Sequence, residues 1–240
     1  MAMVKQLIGL CVASLLWVSA ATGQTREDDF VVANVLAIVY HEMGHALIDI
    51  LNLPVFGQEE DAADVLSVLL IHDLYEEEAA AGIIYDAAFG FLGESQENEP
   101  ALWDVHGPDL QRYYTMICLF YGANPDARAA LAEELQLPEE RAETCVEEFE
   151  LAYDSWGPVL DEITAAEPGA SMLLDGARDD LIGGLMVDEV AALNEDFLLP
   201  TPLVFRIEAC GEANGFYDPG TREIIICSEL DPYLRSLADF

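Results

Sequence analysis

The spacing of apolar and polar positions divides the chain into a long helical part and a shorter mixed part. Helix-period apolar faces run over residues 29–51, 58–74, 77–91, 108–122, 126–135 and 138–164. The first of these is apolar nearly all round from Phe30 to Tyr40, as expected of a helix buried in a core. Asp28 and Asp29 stand where an N-cap belongs, and Asn52 and Pro54 stop the run. Residues 93–100 read as a polar loop, and Pro125, Pro138 and Pro158 fall near helix starts or bends, where proline is tolerated.

Beyond Pro168 the pattern changes. A helix over 182–194 is followed by strand-like segments at 203–209 and 223–227, around the turn signal Asp218-Pro219-Gly220. The class predicted is helix-dominated α+β, helical over about 28–165 and mixed over about 166–240, with a small C-terminal β-hairpin. No internal repeat or low-complexity linker interrupts it, so 21–240 reads as one domain.

Residues 1–20 stand apart. Lys5, an apolar stretch from Leu7 to Val18 and small residues at 19–23 read as a secretory signal peptide, with a retained membrane anchor as the alternative. The apolar run is shorter than the 18 or more residues of a spanning helix. The expected location is therefore secreted or periplasmic, with no stable membrane insertion after cleavage. Removal of 1–20 takes away Cys11 and leaves Cys118, Cys145, Cys210 and Cys227, an even set in a chain bound for an oxidising compartment. Three pairings are open. Cys118 with Cys145 and Cys210 with Cys227 is preferred because each pair flanks a local reversal, and the second would staple the hairpin.

The net charge of −37 becomes −38 without Lys5, because the remaining cations are eight arginines. A surface of that sign repels phosphate backbones and anionic lipid, which argues against nucleic acid and membrane surfaces as partners. It fits a solvated acidic surface, and it would also attract cationic peptides.

The chemistry is concentrated in His41-Glu42-Met43-Gly44-His45. Two His four apart leave one face of a helix and can ligate one zinc ion, and the Glu beside them is placed to take a proton from a water activated by the metal. Packing two His and a Glu into one turn of an apolar helix is costly unless something compensates them. A catalytic zinc needs a third protein ligand. The extended motif on the same helix fails, since Ile48 and Leu51 stand where a Gly and a third His would be. Among the acids opening the next helix, Glu60 is preferred over Glu59 and Asp61, because Asp64 follows on its face and can accept the second N–H of a ligating His. Asp49, four after His45, is either a supporting carboxylate or a solvated acid. His106 reads as a proton donor or oxyanion stabiliser, or simply as an exposed or capping His. Tyr217, in Asn214-Gly215-Phe216-Tyr217, is a second candidate for facing a substrate carbonyl. His72, among Leu69, Leu70 and Ile71, is set aside as a core or surface His.

His41-Glu42-x-x-His45 followed by Glu60 and Asp64 resembles the gluzincin metallopeptidases, the group containing thermolysin. The stretches HEMGHALIDILNLPVFGQEEDAAD, DVHGPDLQRYYTMICLFYGANP, LPEERAETC and CGEANGFYDP look like a bacterial family of candidate metallopeptidases catalogued as a domain of unknown function. The resemblance implies a zincin-like two-helix site with His41, His45 and Glu60 as zinc ligands and Glu42 as base, and it raises His106, Gln111 and Arg112 as cleft residues. Two blocks depart from the family pattern, Gly215 standing where Ala is expected and Ser228 where Tyr is expected. The expected activity is zinc-dependent peptide hydrolysis; hydrolysis of another amide, as in cell-wall peptides, and a non-catalytic zinc-binding scaffold are the alternatives.

Overall fold

A computed structural model describes residues 25–238, so the expected signal peptide at 1–20 lies outside the described residues. Six helices come first: α1 (Arg26–Leu51), α2 (Glu59–Leu74), α3 (Glu77–Glu97), α4 (Asp109–Ala123), α5 (Pro125–Glu134) and α6 (Glu139–Ile163). The mixed part follows as β1 (Met172–Asp175), α7 (Leu181–Asp196), β2 (Leu203–Glu208), β3 (Gly215–Asp218), β4 (Glu223–Cys227) and α8 (Leu230–Leu237). The architecture is helix-dominated α+β, as the apolar spacing predicts.

α1 is the axis of the molecule. Sixteen of its residues are buried, and it packs against α2, α3, α7, α8, β3 and β4. By length and composition it could cross a membrane, but 83% of its most apolar window is buried within the fold. It therefore serves as a core helix, satisfied by protein on nearly every side. Its start differs from expectation: Thr25 is the N-cap and Asp28 is the third residue of a capping box, each side chain accepting from the other's backbone N–H. Asn52 ends it in the left-handed conformation, which Asn adopts more readily than most residues.

α3 runs on to Glu97, so most of the stretch expected as a polar loop over 93–100 is helix. Its helix-compatible residues and the packing of Gly93 against Leu237 outweigh its polarity. The C-terminal strands form one mixed sheet in the order β1-β2-β4-β3. β1, β2 and β4 are parallel, α7 being the crossover between the first two, and β3 pairs antiparallel with β4. The expected hairpin partners 203–209 and 223–227 are parallel neighbours instead; the hairpin is β3–β4, with β3 only four residues long and too short to stand out. Cys118 is bonded to Cys145, tying α4 to α6, and Cys210 to Cys227, tying the loop after β2 to the end of β4. Two such bonds belong to a chain that folds in an oxidising compartment.

Candidate metal centre

Two consecutive antiparallel helices build the centre. His41 and His45 project from the last turns of α1, and the turn at 52–58 returns the chain so that the first turn of α2 faces them. At Gly44, between the two His, an added β-carbon would lie 2.7 Å from the Cα of Ala63, so the helices touch backbone to backbone. Ala63 sits between Glu60 and Asp64, and this close approach carries both carboxylates to the imidazoles.

The donor atoms converge. His41 Nε2 lies 3.2 Å and His45 Nε2 3.1 Å from Glu60 Oε2, and the two Nε2 atoms are 3.2 Å apart. Ligands about 2.0–2.1 Å from one ion in tetrahedral geometry are separated by roughly 3.3 Å, so the set has the spacing of three corners of such a site. Two imidazoles and a carboxylate also form a donor set that suits zinc.

Each His is held from behind. His41 Nδ1 meets Asp64 Oδ1 at 2.7 Å, and Arg112 binds the same carboxylate bidentately through Nε and Nη2. His45 Nδ1 meets Glu59 Oε1 at 2.8 Å. Asp49 does not support His45; it accepts the Tyr217 hydroxyl at 2.8 Å. The role considered for Asp49 therefore falls to Glu59, an acid that the sequence offered only as a rival ligand. Its position next to Glu60 was the available signal, but which of two adjacent acids faces which imidazole depends on helix phase.

The charges follow from this packing. Burial lowers the His41 pKa, but its bonds to Asp64 and then Glu60 prevail and raise it to about 9. The bond to His41 holds Glu60 down to about 2. Asp64, despite burial, is held well below the usual carboxylate range by Arg112 and His41. Glu42 is different: burial pushes its carboxyl up to about 7, with the two His and the nearby main-chain N–H of Tyr217 on β3 opposing.

A cavity of about 860 Å³ opens over these groups. It brings together His41, Glu42, His45, Asp49, Glu60, Asp64, His106, Arg112 and Tyr217. His106 reaches in from the loop before α4, its Nε2 2.9 Å from Glu60 Oε2 and its ring stacked near that of His41. Gln111 is exposed and does not line the cavity, while His72 contacts Arg128 away from it.

No curated protein and no solved structure matches the chain. One family model does, over residues 8–160, and it is described as "Putative metallopeptidase". The match takes in α1 to α5 and all but the last residues of α6, with His41, His45, Glu60 and Asp64, and the CGEANGFYDP block with Tyr217 lies beyond it. With more than half of its length inside that model, including both helices of the metal centre, the chain belongs to the DUF4344 family.

Proposed function

We propose that the chain is a secreted zinc-dependent peptidase of gluzincin type, with 21–240 as the mature domain after loss of a signal peptide at 1–20. His41, His45 and Glu60 hold Zn²⁺, Asp64 and Glu59 fix the ring orientation of the two His, and Glu42 is the general base. The observation that carries this reading is the convergence of the His41 Nε2, His45 Nε2 and Glu60 Oε2 atoms at the floor of an open cavity. Zinc held by His41, His45 and Glu60 would supply a water acidified to about pKa 7 and would polarise the carbonyl to be attacked.

The chain's own groups do the rest. Buried beside the ligand set, Glu42 is placed to accept a proton from the attacking water and to pass it to the departing amine. The Tyr217 main-chain N–H lies near that carboxylate and favours its charged form. His106 and Tyr217 both carry donors at the cavity wall and serve as candidates for stabilising the oxygen that gains charge on the scissile carbonyl. The openness of the cavity over the ligands favours an enzyme over a closed zinc scaffold.

The test is to load the secreted protein with zinc and assay it on an unbiased peptide mixture beside Glu42→Gln, His41→Ala and Glu60→Ala. Glu42→Gln is expected to keep one zinc per chain and lose cleavage, and the other two to lose both. Full activity in Glu42→Gln would remove the assignment. Stoichiometric zinc with no cleavage of any peptide by the parent would move the protein to a binding role.

A further inference from the structure

Away from the metal ligands, the same cavity extends between α3, α4 and α8. There its walls are apolar, formed by Phe91, Met116, Leu230, Leu234 and Leu237, and one carboxylate, Glu94, is set among them. The side-chain contact described for Glu94 is a neutral one, the Tyr233 hydroxyl at 3.4 Å. Arg112 is near and its charge partly offsets that of Glu94, but its Nε and Nη2 are committed to Asp64 and its face lies over Phe91. Burial, followed by the neighbouring Asp109, holds the Glu94 carboxyl above the usual carboxylate range. A half-buried acid in this condition gains from a cation brought to it.

Resting on the peptidase reading, we infer that this part of the cavity is a recognition pocket for a lysine side chain of the peptide substrate, with Glu94 receiving its ammonium group. A lysine fits on two counts. Its four methylenes need apolar walls while its head needs an anionic partner, and α3, α4 and α8 provide both. The charge of the cavity also remains favourable once metal is bound. Six carboxylates line it (Glu42, Asp49, Glu59, Glu60, Asp64 and Glu94), and a divalent ion with Arg112 offsets only three of them. A third observation agrees: no lysine follows Lys5, so a lysine-directed peptidase would find no target in its own mature chain.

The experiment uses the zinc-loaded protein and a fixed Ala/Gly octapeptide carrying either lysine or norleucine, of equal chain length without charge, at each position in turn. It is run at about 0.5 M salt, where attraction by the acidic surface is screened within a few ångströms. At one position the parent is expected to favour lysine by roughly tenfold or more in kcat/KM, and the ratio is expected to fall towards one in Glu94→Gln but not in the exposed-site control Glu150→Gln. A second arm measures binding of the labelled peptides to zinc-loaded Glu42→Gln, with and without Glu94→Gln. A lysine preference seen there without any cleavage would sustain the pocket while the peptidase reading fails. Equal handling of lysine and norleucine by the parent at every position, or a preference that survives Glu94→Gln, would overturn the pocket; the parent comparison decides even if that variant does not fold.

Discussion

Gly44 and Ala63 meet so closely that a β-carbon on Gly44 would fall 2.7 Å from the Ala63 Cα and 2.9 Å from its Cβ. Neither atom is the end of a flexible side chain, so the helices themselves must part to admit a methyl group. Gly44→Ala is therefore expected to cost about 1–3 kcal/mol of stability by overpacking. It should also weaken zinc binding, because the displaced helix carries Glu60 and Asp64. Thermal melts with and without zinc check this, and a variant with the parent's zinc affinity would show that the helix contact does not set the donor spacing.

The carboxylates behind the two imidazoles should act on metal affinity before they act on chemistry. Glu59→Gln, which leaves all three proposed ligands in place, is expected to weaken zinc binding about 10- to 100-fold by releasing the His45 ring. Competition with a chelator reads this out, and an unchanged affinity would reduce Glu59 to a surface acid.

Asp64→Ala should be worse on two counts. It frees the His41 ring, and it leaves the half-buried Arg112 guanidinium without its bidentate partner. Breaking a buried pair by removing one member costs about 3–5 kcal/mol, and the remaining solvent access of both groups places the expected loss at the lower end. The paired change Asp64→Ala with Arg112→Leu should recover stability but not zinc, which a melt and a metal assay separate.

The raised pKa of His41 gives metal uptake a pH signature. In the metal-free protein His41 carries a proton below about pH 9, and ligation needs the neutral ring, so uptake at pH 7 should release about one proton from this residue. For the metal-free fold the sign is the same: pairing of His41 with Asp64 and Glu60 adds stability that is full below its ordinary value of 6.5 and is lost as pH rises through about 9. Titration with zinc in weakly buffered solution measures the proton, and uptake without release would contradict the charged His41.

Tyr217 meets the site twice, its main-chain N–H near Glu42 and its hydroxyl bonded to Asp49. Tyr217→Phe keeps the first contact and loses the second. Turnover should fall with zinc content intact, and an unchanged rate would leave the phenol a packing role and pass oxyanion stabilisation to His106.

The local features of this protein were legible because their causes are local. The His41–His45 spacing places both rings on one helix face whatever surrounds them, the apolar run through α1 demands burial, and Asp64, four residues after Glu60, shares its face. The helical first part and the mixed second part follow from the same periodicities. What depended on distant contacts was not legible. β3 is four residues with no apolar alternation, and it exists as a strand because β4 pairs with it and α1 packs on it. The extension of α3 through Glu97, the assignment of Glu59 rather than Asp49 to His45, and the meeting of Tyr217 with Glu42 all depend on how α1, α2 and α8 are seated. The sequence by itself determined which groups this protein can use and on which helices they stand. The tertiary structure decided which of them meet, because the phase and separation of packed helices are set by side-chain volume at contacts such as Gly44 against Ala63, far apart in the chain and a few ångströms apart in space.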